Sequence, residues 1–170
     1  MGQLIFRRRP LTKSQTVTKI ITGDNMRINT RFAVAVHLMA LLALLEQQGK
    51  DAGSELLAAS VGTNPVVIRQ MMTCLKKAGL ITTRSGLPGG RLAKVQEEIS
   101  LLDIYKAVQK EEDASLFDFH PNPNPKCFVG ANIQGALEAP MEEAQAALEK
   151  VLEAYSLKDI TAYIIEKAYL

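Results

Sequence analysis

The stretch Asn64-Pro65-Val66-Val67-Ile68-Arg69-Gln70-Met71-Met72-Thr73-Cys74-Leu75-Lys76-Lys77-Ala78-Gly79 carries start and stop signals for one helix, with a polar side and an apolar side. Asn64 suits the N-cap, and Pro65 follows at the first helical position, where a missing N–H costs nothing. The helix is predicted to reach about Ala78 and to stop at Gly79. Val67, Met71, Cys74, Leu75 and Ala78 fall at helical spacing and form the expected buried face. Arg69, Gln70, Thr73, Lys76 and Lys77 lie away from it.

The flanks give this helix a setting. Upstream, Ser54 is the expected N-cap of a short helix, Glu55 to Val61, with a turn at Gly62-Thr63. Two short helices joined by a glycine-bearing turn form a helix-turn-helix pattern. Downstream, Leu80 to Arg84 is β-prone, Ser85 to Gly90 is a Gly/Pro turn, and Arg91 to Lys94 can return as a second strand. A helix-turn-helix followed by a hairpin with Arg84 and Arg91 beside its tip is the pattern of a winged helix. The helix from Asn64 would enter a DNA major groove, and the hairpin would lie along the backbone or minor groove.

The rest of the chain reads as mainly helical. Residues 28–47 form a helix ending at Gly49. Within it, residues 32–45 are apolar except for His37. This run of 14 residues is too short to span a bilayer and reads as a core helix, with His37 a satisfied core histidine. Ser100 and Asp103 form a capping box for the next helix. Residues 111–126 are acidic, then rich in Pro and Asn, and read as a loop. From about Ala131, Ile133, Leu137, Met141, Ala144, Leu148, Val151 and Tyr155 recur at spacings of 4, 4, 3, 4, 3 and 4, close to a heptad seam. Pro140 is expected to kink or split that helix. Ser156 and Asp159 repeat the cap before a last amphipathic helix. An apolar seam outside the core domain needs a partner, and a second copy is the default.

Composition narrows the function. The 170 residues are 47% apolar and 22% charged, enough for one packed domain with a helical arm. Aromatics are 5% and Trp is absent, so the core must be aliphatic. Residues 1–95 hold 14 Lys and Arg against 4 Asp and Glu, whereas residues 96–170 hold 6 against 14. A basic half joined to an acidic half suggests one part that faces a polyanion and one that must not. The 2 cysteines, Cys74 and Cys127, cannot build a disulfide scaffold or a four-cysteine metal site in one chain. A reduced, cytoplasmic setting follows, with no membrane role. Residues 1–25 are polar, basic and aperiodic; they read as a disordered extension, with Met26 a sensible start.

Several segments together resemble one family. Met26-Arg27-Ile28-Asn29-Thr30-Arg31-Phe32 running into Ala33-Val34-Ala35-Val36-His37 is similar to its opening. Lys76-Lys77-Ala78-Gly79-Leu80-Ile81 is similar to its recognition-helix exit, and Gly86, Gly89-Gly90 and Leu92-Ala93-Lys94 to its wing. Cys127, Asn132-Ile133-Gln134 and Leu157-Lys158-Asp159-Ile160 match its C-terminal half. The family is the Rrf-two group of bacterial winged helix-turn-helix regulators, which includes IscR, NsrR and CymR. The resemblance covers roughly residues 26–165. It implies a homodimer held by long C-terminal helices, with two recognition helices reading a pseudo-palindrome in double-stranded DNA.

Carried over by position, the recognition face begins at Asn64 and includes Val66, Arg69 and Gln70. Arg69 can pair bidentately with guanine and Gln70 with adenine. Lys76, Lys77, Arg84, Arg91 and Arg31 are the expected phosphate contacts. Two departures matter. Many relatives place the wing arginine directly before the first glycine. Here that position is Ser85 and the arginine is Arg84, and a one-residue shift turns a strand side chain to the other face. The aromatic after the paired glycines is replaced by Arg91. Cluster-binding relatives also hold a two-iron, two-sulfur centre with three nearby cysteines, whereas only Cys127 lies in the matching region. Thiolate demand argues against a cluster, so no cofactor is expected.

The expected organisation is thus an extension (1–25), a winged helix-turn-helix domain (26–110), a loop (111–129) and a helical dimerisation arm (130–170). The expected function is a sequence-specific DNA-binding regulator, a repressor, responding to an unidentified small-molecule or protein effector. The alternative is a winged-helix module that binds a different protein through its acidic half and seam. Catalysis is not expected: Cys127 and His120 lack an orienting third group. Cys127 is the candidate redox sensor. Beside Phe128 and Val129, however, it reads as packed, as does Cys74 on the inner face of the recognition helix.

Overall fold

Helix α1, Ile28–Gln47, is the axis around which the other elements pack. The computed structural model describes residues 28–51, 53–84, 89–109, 117 and 119–168. The expected extension 1–25 and the wing tip with Ser85 and Gly86 lie outside the described residues, as does most of residues 110–118. Ala35, Leu38, Met39, Ala40, Leu42 and Ala43 of α1 are buried. Helix α1 has the bounds expected from the sequence and extends beyond its 14-residue apolar run at both ends. Thr30–Gln47 has a mean hydropathy of 1.3, so length and composition alone would let it cross a membrane. Packing supplies the argument that length does not: α2, α4, α6 and the wing strand β2 all lie against it. One stripe stays open, because Ala33 and His37 are both exposed. His37 is therefore a surface residue and not a core one; its Nε2 lies 3.2 Å from Ser60 Oγ.

Helix α2, Ser54–Val61, and helix α3, Pro65–Lys77, form the helix-turn-helix. Ser54 begins α2 rather than capping it. Gly53 takes the cap position in an extended conformation and gives no side-chain hydrogen bond. Helix α3 follows its sequence signals more closely. Asn64 Oδ1 accepts from the Val66 N–H at 2.6 Å, and Gly79 ends the helix with φ 70°. The buried face of α3 is narrower than predicted. Ile68, Met71 and Leu75 are fully buried, Val67 and Cys74 flank them half-buried, and Ala78 is exposed at the C-cap. Ile68 was absent from the expected face, yet it begins the 68–71–75 stripe.

The wing is a short antiparallel pair, β1 (Ile81–Thr82) and β2 (Arg91–Leu92), with Ile81 opposite Leu92 and Thr82 opposite Arg91. An Ala93 N–H to Leu80 C=O bond of 3.0 Å extends the pairing beyond the strands. Gly90 sits at a close approach: a Cβ there would meet Met72 Cε at 3.0 Å and the Thr82 carbonyl oxygen at 3.1 Å, so those neighbours would have to give way slightly.

A single 3-10 turn (Gln96–Glu98) leads into α4, Leu101–Val108. The Ser100–Asp103 capping box forms as expected, and the Ser156–Asp159 box repeats it at α6, Leu157–Ala168. The two caps sit side by side. Ser100 and Ser156 form an isolated antiparallel bridge, with Leu101 N–H to Tyr155 C=O and Leu157 N–H to Ile99 C=O bonds of 2.8 Å each. Leu157 is fully buried in the main core, and the buried Thr161 Oγ1 lies 2.6 Å from Gln96 Oε1. The expected boundary near residue 130 therefore does not follow the packing, because α6 returns to the winged domain and lies on α1.

Helix α5, Phe128–Glu153, is the arm. Its 26 residues span about 39 Å at the usual helical rise. Pro140 does not split it. Pro140 and Ala136, whose carbonyl loses its helical N–H partner, are both exposed residues. No residue of α5 is fully buried; it leans on α4 through a Lys106–Glu149 ion pair of 3.0 Å.

Candidate nucleic-acid interface

The outer face of α3 is open along its length. Val66, Arg69, Gln70, Thr73, Lys76 and Lys77 are all exposed, and among the described residues no element of the C-terminal arm covers them. Lys76 and Lys77 occupy the last turn, where the helix dipole favours cations. Lys76 Nζ donates to Thr83 Oγ1 at 2.7 Å, which ties the end of α3 to the wing. Arg84 is exposed just beyond β1.

Structure also shows which sequence-predicted residues are already engaged. The Asn64 side-chain oxygen Oδ1 serves as the cap. Arg69 Nη2 lies 3.4 Å from Glu55 Oε1, with both side chains largely exposed. Arg91 Nη2 lies 3.2 Å from Asp51 Oδ1, so this arginine is half-buried against the loop after α1. Arg31 is not brought to this face. Its Nε donates to the Val108 carbonyl at 3.1 Å, at the C-terminal end of α4, where carbonyls lack helical partners.

Acidic residues arrange this surface, and sequence reading missed them. Of the 4 acids in residues 1–95, Glu46, Asp51 and Glu55 each hold a group on the wing or recognition helix. Glu46 Oε2 accepts from the Leu92 N–H at 3.3 Å, Asp51 takes Arg91, and Glu55 takes Arg69. The scarcity of carboxylates in a strongly basic segment was the available signal. The Glu55 carboxyl is held below its ordinary pKa, first by its own backbone N–H at the start of α2, then by the Ser54 hydroxyl and by Arg69.

Cys127 is not packed. It is exposed at the N-cap of α5, and its neighbours Phe128 and Val129 are exposed as well. The Gly130 and Val129 backbone N–H groups favour the thiolate and lower its pKa. A groove of about 420 Å³ lies along α5, lined by Phe117, Phe119, Met141 and Ala146 with Glu138 and Glu142 beside them.

Comparison with known proteins matches this architecture to one family. The Rrf2 family, described as an iron-dependent transcriptional regulator, matches residues 28–163. The chain belongs to the Rrf2 family. It is 48% identical over 137 residues to a protein described as the HTH-type transcriptional regulator YwnA of Bacillus subtilis (strain 168), covering 81% of this chain and 98% of that one. A solved structure described as that of a DNA-binding protein is 45% identical, with a TM-score of 0.62, covering 76% of this chain and 97% of that one. IscR of T. potens, at 21% identity and a TM-score of 0.59, covers 85% of this chain and 92% of that one and shares the fold. This Rrf2 chain is a transcriptional regulator with a DNA-binding winged-helix fold, and its relatives are regulators rather than enzymes.

The iron in the family description meets a poor donor set here. Among the described residues, no group of three or more His, Cys, Asp or Glu side chains could hold a metal ion. Cys74 is half-buried on α3, leaving Cys127 as the sole thiol near the arm. A centre built on thiolates does not fit one such residue per chain.

Proposed function

We propose that this Rrf2 protein is a cytoplasmic, sequence-specific repressor that binds a pseudo-palindromic operator as a homodimer, without an iron–sulfur cluster. The observation that carries this reading is the open outer face of α3, with Arg69 and Gln70 in its first two turns and Lys76 and Lys77 at its end. Base edges are usually contacted from those first turns, while lysines at the far end neutralise phosphate. Arg69 and Gln70 read bases, Asn64 and Val66 set the helix entry, and Lys76, Lys77 and Arg84 meet the backbone. Arg91 and Arg31 contribute less, because each is engaged inside the protein.

The homodimer is supported by the apolar row of α5, which no other element among the described residues buries completely, and by exposed Val151 and Tyr155 at its end. A twofold axis through paired arms would set half-site centres one or two helical turns apart. Exposed Cys127 and the α5 groove are the places where an oxidant or a small effector would act on the arm.

Selecting duplexes from a random pool with the purified chain, then measuring polarisation titrations, tests the reading. The expected result is an inverted repeat bound far more tightly than its scrambled counterpart, with affinity falling steeply as salt rises. Equal binding of selected and scrambled duplexes would remove the sequence-specific function. A reporter placed behind the selected site distinguishes repression from activation.

A further inference from the structure

Among the described residues, Glu55 is the one carboxylate that lines the groove beside the outer face of the recognition helix. The start of α2, the outer face of α3 and the wing enclose a groove of about 430 Å³. Arg69, Thr73, Lys76 and Thr83 line it, as a polyanion-facing surface requires, yet Glu55 lines it too. Its carboxylate lies 3.4 Å from Arg69 Nη2, and both side chains remain largely exposed. An exposed pair of this kind adds little to folding stability. Its effect is on where the guanidinium points. Arginine has five N–H donors in a planar fork, so one bond to Glu55 leaves donors for a bidentate contact with guanine.

The same carboxylate has a second consequence. It stands on the DNA-facing surface and repels phosphate whatever the base sequence. The repulsion is offset only while Arg69 stays beside it. A duplex that offers guanine within reach of the Glu55-paired guanidinium keeps Arg69 in place, between carboxylate and base. A duplex that draws Arg69 away to a phosphate leaves Glu55 unpaired against a polyanion. The penalty therefore falls on wrong sequences, which is how repulsion generates discrimination. The lowered pKa of Glu55 keeps the charge in place at neutral pH.

We propose that Glu55 is a specificity-determining positioning residue: its carboxylate orients Arg69 toward its base and disfavours every duplex on which Arg69 must leave it. This rests on the DNA-binding reading above and adds to it the origin of discrimination at one base pair per half-site.

The test uses the full chain, the duplex it selects from a random pool, and a scrambled duplex of equal length. Glu55→Gln keeps the shape and removes the charge. The expected result is tighter binding of the scrambled duplex, by about three- to tenfold, and a fall of about tenfold in the ratio of selected to scrambled affinity. Glu55→Asp, which restores the charge, should recover most of that ratio. In an Arg69→Ala background the Glu55→Gln change should move the ratio by less than about twofold, because its action runs through Arg69. Circular dichroism confirms that each variant is folded, as expected for an exposed side chain. The inference is overturned if Glu55→Gln leaves the ratio within about twofold of wild type, or lowers it equally with Arg69 absent. A wild-type chain that binds both duplexes alike ends the DNA-binding reading itself, and this inference with it.

Discussion

Helices α3 and α5 are built by opposite rules. Helix α3 has 13 residues, a side-chain cap from Asn64, a left-handed Gly79 at its exit, and three side chains fully buried by its own chain. Helix α5 has 26 residues, no side-chain cap, a proline in its interior, and no fully buried side chain. Its partly covered row of Ile133, Leu137, Met141, Ala144 and Leu148 continues into Val151 and Tyr155, which are more than half exposed. Helical stability in proteins comes mostly from packing of an apolar face. By that measure α3 is finished within one chain, and α5 is the element that a second copy would finish. On the proposed reading, recognition falls to a helix packed within its own chain, and assembly to one whose burial would depend on association.

The largest expected effect breaks the finished half. Leu75→Ala removes a fully buried side chain where α3 meets the core. It should cost about 2–5 kcal/mol of unfolding free energy, read as a lowered urea midpoint. If the loss is under about 1 kcal/mol, α3 is not anchored as the burial indicates. Next comes the unfinished half. Leu137→Glu places a carboxylate in the half-buried row of α5. A twofold interface carries the change twice, so self-association should weaken by about a hundredfold, or about 2.7 kcal/mol, in sedimentation equilibrium. The helical signal of the winged domain should persist. Unchanged association would place the interface elsewhere.

Arg69→Ala moves the comparison to the outer face of α3. It should cost about 1–3 kcal/mol of binding to the selected duplex and relax one base position per half-site. Lys77→Ala should instead weaken selected and scrambled duplexes alike and reduce the salt slope by about one. A uniform loss from Arg69→Ala would make that residue a phosphate contact.

Legibility in the sequence follows the range of the interaction. The α3 cap, both Ser-x-x-Asp boxes and the bounds of α1 were readable because each is set by residues within one helical turn or by one periodic stripe. The outer face of α3 was readable for the same reason. The Glu46–Leu92, Asp51–Arg91 and Glu55–Arg69 contacts join residues 46, 40 and 14 positions apart, and nothing local announces them. One of them engages Arg91, and the Val108 carbonyl, 77 positions from Arg31, engages that residue in the same non-local way. The apolar run around His37 implies cover on every side, whereas the neighbours of α1 leave the stripe of Ala33 and His37 to water. Pro140 signals a break by its local chemistry, yet α5 runs through it, at a position where both Pro140 and Ala136 are exposed.

The smallest effect sharpens the boundary between the two regions. Ser156 Oγ donates to Asp159 Oδ2 at 2.8 Å and lies 3.2 Å from the Asp159 N–H; Ser100 makes the same pattern with Asp103. Each cap should be worth about 0.5–2 kcal/mol against alanine. If α6 belongs to the winged domain, as buried Leu157 and Thr161 indicate, Ser156→Ala and Ser100→Ala should each lower the same cooperative unfolding transition. Because the two serines face each other across a bridge, the double variant should depart from additivity by about 0.5 kcal/mol or more. If α6 were an appendage of the arm, Ser156→Ala would act on self-association and leave that transition in place. Helix α5 would then end in a free element rather than one anchored beside α1, and any change at the arm would lose its direct route to the domain that carries the recognition helix.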